Sequence, residues 1–171
     1  KFETQKTMKN NKIYDTSLFS SADFKAARVS WVKDLCGDEQ NNSPSIKGMQ
    51  ELLRMRDCDS ESLRSEMNRG ADVPILFGEN APTASGELKL QYDRVLRLTL
   101  PFGTVGCRGY HSEELLADIL LALDWLHDNM YGANVVTDTS FRSWREYDWW
   151  DWYVGAACPL MDVLMIIEDS I

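Results

Sequence analysis

Four of the six tryptophans in this chain, Trp144, Trp149, Trp150 and Trp152, fall within nine positions, with Tyr147 and Tyr153 beside them and Asp148 and Asp151 between them. Indole rings are large, and each carries an N–H that seeks an acceptor. A cluster of them interleaved with carboxylates suits a platform for an amphipathic ligand such as a sugar, whose C–H face packs on indole while its hydroxyls reach the neighbouring acids. The same composition also fits tryptophans wedged between helices, with the two aspartates as caps or solvated charges, and both readings stand at this point. Asp148 and Asp151 have the residue types of a glycosidase acid/base pair, but that mechanism is defined by the distance between the carboxyls, which sequence spacing does not supply.

Other chemistries have less to stand on. His127 falls near the C-terminal end of an apolar-striped segment, where a favourable helix-dipole interaction is its ordinary role. His111 sits in the loop Gly109-Tyr110-His111-Ser112, where it needs no role. No G-x-S-x-G elbow and no phosphate-cradling glycine loop occurs. Cys36, Cys58, Cys107 and Cys158 lie far apart with no C-x-x-C pair, so no metal site is expected and no pairing can be read. The 171 residues carry a net charge of −9 with a pI near 4.7. Such a balance argues against a general nucleic-acid partner, which gains affinity from Lys and Arg. Residues 106–171 hold 12 acidic residues against three basic ones, so the acid is concentrated beside the tryptophans. No apolar run approaches the roughly 20 residues that span a bilayer, and no membrane partner is expected. Lys1 to Lys12 lack the apolar stretch of a secretory signal, which leaves the compartment open.

Apolar spacing predicts helices almost throughout. Ser20 with Asp23 has the form of a capping box, and Phe24, Ala27, Trp31, Val32 and Leu35 make a stripe for a helix over about Asp23 to Cys36, stopped by Gly37. Pro44 suits a first helical position ahead of Ile46, Met49, Leu52 and Leu53. Asp59 can cap a short third helix carrying Leu63 and Met67. Between Gly70 and Gly86 the prolines and glycines predict a loop, with Val73 to Phe77 as its apolar anchor. Leu88, Tyr92, Val95, Leu96 and Thr99 predict a helix that Pro101 and Gly103 end. Ser112 caps the clearest helix, with Glu113 and Glu114 at its positive end, a stripe of Leu116, Ile119, Leu120, Leu123, Leu126 and Met130, and Gly132 as its stop. Pro159 to Ile167 is apolar nearly all the way round. A helix without a polar face must be enclosed, so further helices are expected beyond Ile171.

Two segments carry a family likeness. Asp124-Trp125-Leu126-His127-Asp128-Asn129-Met130-Tyr131-Gly132, followed by Tyr147-Asp148-Trp149-Trp150-Asp151-Trp152-Tyr153-Val154-Gly155, resembles the N-terminal helical domain of polysaccharide lyase family 8, the hyaluronate, chondroitin and xanthan lyases. That family has a helix ending in W-x-H, a short connection, then N-W-W-D-[WY]-E-I-G. Phe24 to Trp31 resembles its first toroid helix, and Tyr92-Asp93-Arg94-Val95-Leu96-Arg97 through Gly106 its helix before the W-x-H one. The likeness covers the chain from about Asp15 onward.

The resemblance implies an all-α fold, a partial α/α toroid of helical hairpins over residues 1–171 with a leading strap at about 1–20, continued elsewhere in the protein by β-sandwich domains. It implies cleavage of acidic polysaccharide by β-elimination: a Tyr takes the proton beside the uronate carboxylate, His and Asn assist, and no metal or other cofactor is required. Polar donors must stabilise the developing carbanion. Those catalytic residues would fall beyond Ile171, so none is assigned in this chain. What the likeness transfers is a substrate-binding patch, Trp149 and Trp150, with Asp148 beside it. Asp148 stands where the family has Asn, and a carboxylate accepts but does not donate. Tyr153 replaces Glu, and Ala157-Cys158-Pro159 stands in place of Pro-Arg-Ala, which removes a carboxylate or sulfate partner. The expected partners are an acidic polysaccharide and the rest of the same protein, and polymeric substrates imply a secreted or periplasmic location. Two other readings are a non-catalytic glycan-binding or structural helical module, and an α/α-toroid glycoside hydrolase using Asp148 or Asp151.

Overall fold

The fold is described from a computed structural model over residues 20–70, 73–78, 85–131 and 149–171. The first helix, α1 (Ser21–Cys36), opens on the expected capping box: the Ser20 hydroxyl accepts from the Asp23 amide at 3.2 Å, and the Asp23 carboxylate accepts from the Ser20 amide at 2.7 Å. The Ser20 hydroxyl, which also donates to the Asp23 carboxylate at 2.7 Å, and then the Ser20 amide hold the Asp23 carboxyl below its ordinary pKa. Gly37, at φ +76, closes the helix in a conformation that side chains resist.

The face that α1 buries differs from the expected stripe. Phe24, Ala27 and Trp31 are exposed, Val32 and Leu35 are half-buried, and Arg28 and Cys36 are the buried positions. The reason is a charged hook. Arg28 reaches the end of the last helix, donating to the Met165 carbonyl at 3.1 Å and pairing with Glu168 at 2.6 Å and with Asp169. Trp31 is drawn to the same helix, its indole N–H donating to Asp162 at 2.8 Å.

Pro44 does not begin a helix. Residues 38–48 form successive turns, with the Ile46 amide bonded to the Ser43 carbonyl at 2.9 Å and the Met49 amide to the Ile46 carbonyl at 3.0 Å. The second helix, α2 (Met49–Glu66), starts behind Gly48 and runs unbroken through Asp59, so the expected third helix is its second half. Asp59 does not cap. It accepts from Arg97 at 2.7 Å, and a tertiary partner outweighs its local preference for a helix start.

The apolar stretch Val73–Phe77 is an anchored loop, as its composition predicts. Ile75, Leu76 and Phe77 are buried, and a single antiparallel bridge joins Met67 to Phe77. The buried Gln91 amide clamps Phe77 from both sides, accepting from its N–H at 2.9 Å and donating to its carbonyl at 3.2 Å.

Helix α3 (Ser85–Gly103) is the central element, touching α1, α2, the next helix and the last one, and burying Leu88, Tyr92, Val95, Leu98 and Phe102. Pro101 lies inside its final turn instead of ending it. Helix α4 (Glu113–Leu126) is capped by the Ser112 hydroxyl, which accepts from the Leu115 amide at 3.3 Å. Its helical spacing stops at Leu126, where a wider π-helical turn, His127–Tyr131, carries Met130 into the core. Gly132, the expected stop, lies outside the described residues.

A second π-helical turn, Asp151–Gly155, leads into α5 (Ala157–Ile167), and a 3-10 turn, Glu168–Ser170, follows. Helix α5 buries Pro159, Val163, Ile166 and Ile167 while Cys158, Met161 and Leu164 face out, so its apolar surface is enclosed on one side among the described residues. All secondary structure there is helical apart from the lone bridge, an all-α fold as expected. No helix of the described residues is long and apolar enough to cross a membrane. The four cysteines are free thiols: Cys58 and Cys158 are exposed, and burial raises Cys36 and pushes Cys107 up to about 11.

Candidate functional site

The aromatic segment is built on the second π-helical turn. One helical step at Trp149 and Trp150 runs into Asp151–Gly155, closed by the Ala156 amide on the Asp151 carbonyl at 2.7 Å. Such turns widen the helix locally and recur at functional sites. Here the turn divides its side chains by role. Trp152 is buried beside Gly155 and Ala156 and anchors the segment in the core, whereas Trp149, Trp150 and Tyr153 are 57%, 50% and 58% exposed. Among the described tryptophans of the cluster, the wedge role therefore falls to Trp152. Trp149 and Trp150 present open ring surface instead.

The N-terminal turn of α3 fixes the platform from below. The Asp151 carboxylate accepts from the Ser85 hydroxyl at 2.7 Å. A methyl group on Gly155 would stand 3.0 Å from Lys89 Cδ and 3.3 Å from Trp150 Cζ3, so the glycine allows the lysine stem and the indole to approach one point. Asp148, the third expected site residue, lies outside the described residues, as do Trp144 and Tyr147. The Asp151 side chain is engaged by Ser85.

The first π-helical turn carries the W-x-H segment. Trp125 is buried, its carbonyl accepts from the Asn129 side chain at 2.9 Å, and His127 stands exposed with Nδ1 2.9 Å from an Asp128 oxygen. His127, close to the end of α4, is expected to interact with the helix dipole. In the structure it also lines a largely apolar hollow of about 290 Å³ with Tyr92, Leu123, Asp124, Leu160 and Leu164. Periodicity marks Leu123, Leu160 and Tyr92 only as core candidates, and their convergence around His127 required the packing of α3, α4 and α5. His111 is a loop residue at φ +51, edge-on to Tyr110 with ring centres 4.3 Å apart. Among the described residues no group of His, Cys, Asp and Glu is placed to hold a metal ion.

Comparison with known proteins gives a consistent picture. The model of the family described as polysaccharide lyase family 8, N-terminal alpha-helical domain, matches residues 31–171. The chain is 26% identical over 155 residues to hyaluronate lyase HylB of Enterococcus faecalis, covering 89% of this chain and 14% of that protein. It is 28% identical over 153 residues to the xanthan lyase of a Bacillus species, covering 89% of this chain and 16% of the relative. The solved structure of a Paenibacillus xanthan lyase superimposes with a TM-score of 0.76 at 17% identity, over 88% of this chain and 14% of that one. The chain therefore spans about one-seventh of the length of these relatives.

Proposed function

The chain belongs to polysaccharide lyase family 8, in that family's N-terminal α-helical domain, and from that premise we propose that it supplies the aromatic substrate-binding wall of a lyase acting on an acidic, hyaluronan- or chondroitin-like polysaccharide by β-elimination. The observation that carries this reading is the half-exposed pair Trp149 and Trp150, held open by a turn whose buried Trp152 anchors it. A sugar ring stacking its C–H face on each indole gains about 1 kcal/mol per contact beyond the area buried. The wall binds and orients. No group in the chain is assigned to the proton transfers, which fall to the rest of the protein. The helices form part of an α/α toroid, the exposed side of α5 being one surface on which the remainder rests. Secretion or export to the periplasm follows from a polymeric substrate.

The test uses the intact protein. Digestion of hyaluronan or chondroitin should create an unsaturated uronate that absorbs in the ultraviolet, whereas reducing ends without that chromophore would mean hydrolysis and overturn the elimination reading. Trp149→Ala and Trp150→Ala should each weaken oligosaccharide binding about fivefold, from about 1 kcal/mol per lost contact. Their melting temperatures should stay near the parent's because half of each ring is already in water. Variants that melt far lower yet bind normally when folded would show the indoles to be structural.

A further inference from the structure

Among the described residues, the stretch that carries Trp149 and Trp150 has no positive charge of its own. Residues 149–171 contain Asp151, Asp162, Glu168 and Asp169 and no lysine or arginine. Any cation that the described residues offer to an acidic sugar on Trp150 must come from another element. Helix α3 brings one. A Cβ on Gly155 would lie 3.0 Å from Lys89 Cδ, 3.2 Å from Lys89 Cγ and 3.3 Å from Trp150 Cζ3. Gly155 thus seats the lysine stem beside the indole edge, and any larger residue there would push one of the two away.

The Lys89 ammonium is held but not consumed. Its partner is Asp93, one helical turn further on, at 2.5 Å, with the two side chains 31% and 33% exposed. A pair so open to water is weak. An ammonium has three donors, and one neighbouring carboxylate leaves donors for a second. Asp151, the other acid at this junction, is turned to the Ser85 hydroxyl at 2.7 Å.

We infer that Lys89 is a specificity-determining residue of this wall: its ammonium donates to the carboxylate of an acidic sugar whose ring rests on Trp150, while Asp93 keeps it in place. The inference rests on the reading of Trp150 as a sugar platform. The experiment titrates the intact protein with a hyaluronan hexasaccharide and with the same hexasaccharide after its carboxylates are reduced to alcohols. Lys89→Met keeps the apolar stem over Gly155 and deletes the charge. It should lose about ten- to a hundredfold in affinity for the acidic ligand, the range of one charge-assisted hydrogen bond. Binding of the reduced ligand should be unchanged, and Lys89→Arg should retain the preference for acid. Equal weakening toward both ligands, or none toward either while Trp150→Ala weakens both, would overturn the role of Lys89 alone. If Trp150→Ala leaves both affinities intact, the platform reading fails and the Lys89 inference falls with it.

Discussion

Gly103→Ala tests whether the junction of three helices is as tight as it looks. Gly103 closes α3 in helical backbone conformation, so an alanine there has no left-handed strain to overcome. On helix preference alone the change should stabilise by up to about 1 kcal/mol. Packing opposes it. The new methyl would stand 2.8 Å from Cys36 Sγ on α1 and 2.8 Å from Ile166 Cγ2 on α5, and Cys36 and Ile166 are both buried. Neither neighbour has a long flexible end to swing aside, and Ile166 is stiff because it is β-branched. Overpacking of this kind costs about 1–3 kcal/mol, so the sum should be destabilising by about 1–2 kcal/mol. For a chain of this size that lowers the melting temperature by roughly 3–6 °C. Urea unfolding of the parent, Gly103→Ala, Cys36→Ala and the double variant gives the coupling directly. Removing Sγ should recover part of the loss, so the double variant should be more stable than the two single changes predict. A Gly103→Ala protein as stable as the parent, or strict additivity in the cycle, would refute the claim that the gap at Gly103 is filled by Cys36 and Ile166.

Other outcomes follow from the same geometry. Arg28→Met keeps an apolar stem and removes the hook on the end of α5, so it should melt below the parent near neutral pH. Because Arg28 holds the Asp169 carboxyl below its ordinary value, the benefit is complete above the usual carboxylate range. It is lost as pH falls through the lowered value, so the melting gap should narrow in strong acid to what the Met165 carbonyl bond contributes; a gap independent of pH would place the effect outside the ion pair. Gln91→Leu leaves the buried Phe77 N–H without its side-chain partner, while the carbonyl keeps the Arg94 guanidinium at 2.9 Å, and should destabilise by about 1–3 kcal/mol in denaturant unfolding. Thiol labelling of the native chain at pH 8 should mark Cys58 and Cys158 promptly and Cys36 and Cys107 only after unfolding, since both of the latter are buried and Cys107 is pushed up to about 11. Prompt labelling of all four would contradict the burial of the α1 to α3 junction.

What the sequence determined by itself is what short-range forces decide. Ser20 with Asp23 and Ser112 ahead of Leu115 announce helix starts because a cap satisfies amides only three residues away. The stripes of α3 and α4, the anchored loop at Val73–Phe77 and the all-α class follow from equally local spacing, and the density of tryptophan marked where a site was worth seeking. Tertiary structure decided the rest, where partners distant in the chain outbid local preference. Asp59 left its capping role for Arg97, 38 residues away, and α1 turned Arg28 inward toward Asp169, 141 residues away, leaving Phe24 and Trp31 outside. The division between buried Trp152 and open Trp149 and Trp150 depends on a π-helical turn that composition does not reveal. The approach of the Lys89 stem and the Trp150 ring to Gly155, beside the Ser85–Asp151 bond that spans 66 residues, exists only because α3 packs against that turn. Periodicity reports that a residue has a buried side, but which partner lies there is set by how the helices pack together.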